Sequence, residues 1–117
     1  MRVQLQGQAL RLRIDEAELA SLLAGGSVEN ATRWPDGRNE HQQLALAAQH
    51  GWRRGDDGWR MELADMAVRE LAARLPSRDG LSFELAVSGG GTLEVLFDVD
   101  VRDSVRQRHL GKERGRT

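Results

Sequence analysis

Leu10–Gly26 reads LRLRIDEAELASLLAGG, and the fold class turns on it. Leu10, Leu12 and Ile14 alternate with Arg11 and Arg13. That two-residue period belongs to a strand with one buried and one wet face. The period then changes. Leu19, Leu22 and Leu23 fall on one helical stripe, with Ala20 and Ala24 near its edge. Asp15 stands where an N-cap belongs, and Glu18 three residues later completes a variant of the capping box. Gly25 and Gly26 can adopt the left-handed backbone that closes a helix.

A second stretch, Trp59–Pro76 (WRMELADMAVRELAARLP), repeats the pattern. Trp59, Met61 and Leu63 alternate with Arg60 and Glu62, and Val68, Leu71, Ala72 and Leu75 follow as a helical stripe. Asp65 is the expected cap, and Pro76 stops the helix. A shift of 49 residues lays Leu10, Leu12, Ile14 and Leu22 on Trp59, Met61, Leu63 and Leu71, as a strand–helix–strand–strand unit used twice would. Two unrelated amphipathic strand–helix pairs would align comparably.

The remaining chain reads as strands. Val3 and Leu5 form a hairpin with the Leu10 strand through Gly7. Ser27–Trp34 sets Val28, Asn30, Thr32 and Trp34 on one face, and Trp34-Pro35-Asp36-Gly37 is a turn. His41–Gln49 has helix-favouring composition but strand-like alternation at Leu44, Leu46 and Ala48. It is assigned to a strand because a hairpin turn precedes it. Gly51–Gly58 reads as a polar loop or wide turn. Leu81–Val87 and Leu93–Val99 form a hairpin around Gly89–Gly91. The expected fold is α+β: one curled, mostly antiparallel sheet of about seven strands under two short helices.

Length and composition bound the rest. A chain of 117 residues is one domain and buries roughly two thirds of its unfolded surface. Hydrophobic residues at 39% against 30% charged ones exclude a disordered chain. With no cysteine there is no disulfide, thiolate nucleophile or cysteine-ligated metal. No apolar run is long enough for a signal peptide or a membrane span, so the expectation is a cytoplasmic protein without a membrane partner. The domain is placed at residues 1–101. Residues 102–117 hold six basic and two acidic side chains in a chain of net charge −1, so a basic tail follows a mildly acidic body. The tail reads as a solvated end more than a nucleic-acid arm, since it has no aromatic residue to stack on bases.

Few patterns point to chemistry. His41, His50 and His109 lack ligand spacing and read as surface residues. Asp98, Asp100 and Asp103 lack the glycine and later glutamate of a calcium loop. Gly89–Gly91 is no phosphate loop, because the required lysine is absent. Nothing resembles a nucleophile elbow, so no cofactor, metal or catalytic residue is assigned. Two surfaces stand out. Arg11, Arg13, Arg60, Glu62, Glu84 and Glu94 would share a polar strand face. On an open sheet these are solvated ion pairs; on a closed barrel they would line a hollow for an anionic ligand. Trp52 with Arg53 and Arg54 is either an anchor for a protein partner or second copy, or one end of the core. Trp34 and Trp59 are expected inside.

The opening MRVQLQGQALRLRIDEAELASLLAGGSVE resembles a family of small uncharacterised bacterial proteins, most closely over Arg2–Glu29 and more weakly over Trp59–Asp98. The resemblance implies a bacterial source and transfers no site. A looser, fold-level similarity is to the triphosphate-tunnel enzymes, whose N-terminal strand carries alternating glutamates and a lysine. Here it reads VQLQGQ, so that similarity implies no shared chemistry. Two functions follow: a non-catalytic binding or protein-interaction module, or a binder or hydrolase of an anionic, phosphate-bearing small molecule.

Overall fold

The alternation at Leu10–Ile14 becomes the central strand of a sheet. The computed structural model describes residues 1–101; the basic tail, His109 and Asp103 lie outside them. The order is β1 (Arg2–Gln6), β2 (Ala9–Asp15), α1 (Glu16–Leu23), β3 (Ser27–Arg33), β4 (Asn39–Ala47), β5 (Gly51–Gly55), β6 (Gly58–Ala64), α2 (Asp65–Ala73), β7 (Leu81–Ala86) and β8 (Thr92–Asp100). The class is α+β, as expected, but there are two four-stranded sheets, not one. The first runs β1-β2-β8-β7 and the second β3-β4-β6-β5. Antiparallel hairpins predominate, yet the middle pairs, β2 with β8 and β4 with β6, are parallel. Neither sheet closes on itself.

The repeat explains the parallel pairs. Each half is β-β-α-β-β, and each half gives one hairpin to each sheet. Arg2 pairs with Arg13 as Gly51 pairs with Glu62, a displacement of 49 at both ends. Val28 pairs with Leu44 as Leu81 pairs with Phe97, a displacement of 53. The difference of four is the longer connection from α2 to β7. The parallel pairs exchange under the same operation, Ala9 with Glu94 answering Gly58 with His41. Two copies of a β-β-α-β-β chain would meet in this way as a twofold dimer.

The inner faces of both sheets meet in one core. Leu10, Leu12, Ile14, Val95 and Phe97 come from the first sheet, and Val28, Leu44, Met61 and Leu63 from the second. Leu19, Leu22, Val68 and Leu71 fill it from the helices. Each helix touches strands of both sheets. The helices start where β2 and β6 finish, so they close one end of the sandwich. The other end is open.

Three local expectations are corrected. Residues 51–55 form β5, because Trp52 and Arg54 face inward and Arg53 outward, an alternation hidden by charge and flanking glycines. Asp65 does not cap α2: the N-cap is Ala64, and the Asp65 carboxylate instead accepts from Arg69 Nε at 3.0 Å. Trp34 is not core; it lies past the end of β3 and is 49% exposed. Other details hold. Asp15 and Glu18 form the capping box, Gly25 ends α1 with φ +92°, and residues 41–47 are strand.

Candidate functional site

The six residues read as one polar face fall on two. Arg11, Arg13, Glu84 and Glu94 project from the outside of the first sheet, and Arg60 and Glu62 from the outside of the second. They do not converge in one hollow, because the sheets stay open and face opposite ways. On the first sheet Arg11 Nε lies 3.1 Å from Asp98 Oδ2, at ion-pair distance but not aligned as a hydrogen bond. Glu84 stands directly opposite Glu94, a like-charge pair that weakens the β7–β8 contact.

The outside of the second sheet is richer. Glu62 Oε2 accepts from Arg53 Nη2 at 3.1 Å and lies 3.8 Å from Arg60 Nε. Arg60 Nη1 donates to Gln43 Oε1 at 3.2 Å, while its buried Nε has no hydrogen-bond partner. Gln43, Arg53, Arg60 and Glu29 border a shallow depression of about 690 Å³ with His41 and Asp57, which lie 3.5 Å apart. Gly58 at its edge must be glycine, since a Cβ there would run into the His41 carbonyl. Of the second group, Arg53 therefore parts from Trp52 and Arg54, which lie on the inner side.

Trp52 and Arg54 belong to the open end. One cleft of about 410 Å³ is lined by Val3 and Leu5 of the first sheet and by Asn30, Trp34, Gln42 and Trp59 of the second, with Glu40, Thr32 and Arg54. A second, of about 440 Å³, is lined by Trp52, Leu85, Val87 and Leu93. The repeat relates them: Trp34 matches Val87, Thr32 matches Leu85, Glu40 matches Leu93 and Val3 matches Trp52. The Arg54 guanidinium sits 5.2 Å from the centre of the Trp52 ring, a cation–π distance.

No family model matches the chain, and no curated protein or solved structure is significantly similar to it. Among the described residues no three His, Asp or Glu side chains are grouped to hold a metal ion, and no helix is long and apolar enough to cross a membrane.

Sequence reading missed the polar floor of the first cleft. Asn30 Nδ2 donates to Gln42 Oε1 at 2.8 Å, and Gln42 Nε2 donates to Glu40 Oε2 at 3.0 Å. Gln42 is 6% exposed. The available signal was Asn30 and Gln42 on the strand faces that carry Val28 and Leu44.

His50 is not a plain surface residue. Its ring stacks on Phe83 at 3.8 Å, and its Nδ1 accepts from the Ala64 amide at 3.0 Å. In the first half the matching amide, that of Asp15, donates to Glu18 Oε1 at 3.1 Å. The imidazole thus replaces a carboxylate at the start of α2, and it must be neutral to accept. Burial lowers its pKa from the ordinary 6.5. A base whose folded pKa is depressed stabilises the fold fully above its unfolded value, and that stability is lost as pH falls below it. Melting temperature should therefore drop on acidification from above to below pH 6.5. The drop should be smaller in His50→Gln, which keeps an acceptor and has no proton to gain; equal slopes in the two proteins would refute the role.

Proposed function

We propose that this chain is a non-catalytic binding module whose working surface is the open end of the sandwich. One observation supports it. Of the five large apolar side chains left exposed among the described residues, Leu5, Trp34, Trp52 and Val87 all line the two end clefts. Gathered exposed apolar groups mark binding surfaces, whereas scattered ones are ordinary. Tryptophan with a neighbouring arginine is the composition of an interaction hot spot. A bacterial, cytoplasmic setting belongs to the same reading, from the lack of cysteine and the resemblance over Arg2–Glu29.

The test is an apolar fluorescent probe, anilinonaphthalene sulfonate, added to the native protein at neutral pH. Binding should saturate while the cooperative melt is retained. Trp34→Ser and Trp52→Ser should each remove part of the signal and the double variant most of it. Fluorescence that rises only once the chain unfolds would contradict the reading.

The depression on the second sheet supports the other reading, an anionic small molecule, because Arg60 Nε is buried without a hydrogen-bond partner and stands opposite Arg53. Inorganic phosphate, polyphosphate and nucleotides would then raise the melting temperature in proportion to the logarithm of their concentration, and Arg60→Leu would remove the effect.

A further inference from the structure

The two halves supply an internal control for what the fold itself requires. Four inward-facing positions of the second half hold Phe83, Leu85, Leu93 and Val95, which pack on or into the core. At the matching positions the first half holds Asn30, Thr32, Glu40 and Gln42. The same backbone register thus accepts apolar side chains at all four places. Burying hydrogen-bonded amides where apolar groups fit gives the fold no advantage. The polar set must answer to something other than folding.

Its surroundings say what. Gln42 and Asn30 form the floor of the cleft between the sheets, with Glu40 joined to them. Val3 and Leu5 supply aliphatic surface from the first sheet, and Trp34 and Trp59 supply ring surface from the second, Trp59 directly beside Gln42. A slot with apolar sides and a floor of amide donors and acceptors suits a thin ring with hydrogen-bonding atoms along its edge. Carboxamides read base edges in this way, and aromatic side chains stack on base faces. The one carboxylate and one guanidinium at the cleft, Glu40 and Arg54, cancel, so the recognised part of the ligand is uncharged. About 410 Å³ lies within the range of small-molecule sites.

We infer that the Trp34–Gln42 cleft is a binding site for the flat heterocycle of a free small molecule of the nucleobase or nucleoside class. The inference rests on the reading of the open end as the binding surface. The two fail separately, because the apolar probe also reports on the Trp52 cleft, which lacks the Asn30–Gln42 pair.

The test titrates the four common nucleosides against the full chain, following tryptophan fluorescence and the melting temperature. Glucose, N-acetylglucosamine and a short single-stranded oligonucleotide serve as comparison arms. At least one nucleoside should quench the fluorescence saturably and raise the melting temperature. Trp34→Ala, an exposed position outside the core, should weaken that binding by roughly tenfold or more. Copying the second half into the first, with Asn30→Phe, Glu40→Leu and Gln42→Val together, should abolish it; if this variant does not fold, Trp34→Ala alone decides. No response to any nucleoside would overturn the inference, as would an undiminished response in Trp34→Ala. Response to a sugar alone, or to the oligonucleotide alone, would overturn the assignment equally.

Discussion

Cutting the chain between Gln49 and His50 should leave neither half folded alone and restore the native fold when the halves are mixed. The reason is topological. In residues 1–49 the hairpin β1–β2 belongs to one sheet and β3–β4 to the other. Separation strips β2 of β8 and β4 of β6, so each hairpin loses the partner along its inner edge. Isolated two-stranded hairpins are marginal in water. The core is divided too: Leu12 loses Phe97, Ile14 loses Val99, and Leu44 loses Met61. All of the stability, about 5–15 kcal/mol for a domain of ordinary stability, is therefore at stake in one backbone cut. Circular dichroism of each fragment and of the equimolar mixture checks the prediction. Because the two halves share one register, any folded fraction of a lone half should sediment as a dimer. A half that melts cooperatively as a monomer would refute the interlocked arrangement.

Much of this was readable in the letters, and the failures have physical causes. The two strand–helix units were legible because Leu10–Leu23 and Trp59–Leu71 switch period where the chain switches structure. The register of the repeat followed from them, since a displacement of 49 survives in the first hairpins and the helices. The partition into two sheets was not legible. Alternation says that a strand has an inner face but not which strand lies beside it, and the parallel pairs join residues 85 positions apart in one sheet and 17 apart in the other. β5 was hidden because its inward positions, Trp52 and Arg54, match Val3 and Leu5 only through the repeat. The polar face was legible residue by residue, yet Arg11 and Arg60 emerge on opposite sides once the sheets separate. The cleft floor was the least legible part, because Asn30 and Gln42 become unusual only beside Phe83 and Val95.

Phe97→Ala should lower stability by about 3–5 kcal/mol, the cost of emptying a fully buried aromatic site. Phe97 stands in register with Leu12 on one side and Leu81 on the other, and the match for it in the second sheet is Leu44, between Met61 and Val28. Leu44→Ala should cost about 2–5 kcal/mol for the same reason. On the outer face of the same strand, Glu94→Thr should change stability by less than about 1 kcal/mol, since it relieves the like charge opposite Glu84. The denaturant midpoint should move in each core variant without a change in slope. The readout also tests whether the core is one. Trp34, Trp52 and Trp59 all belong to the second sheet or its turns, whereas Phe97 lies in the first. If both sheets fold as a unit, tryptophan fluorescence and far-ultraviolet circular dichroism must shift together in Phe97→Ala. A fluorescence transition left in place while the dichroism transition moves would mean that the second sheet stands without the first, and the shared core would have to be abandoned.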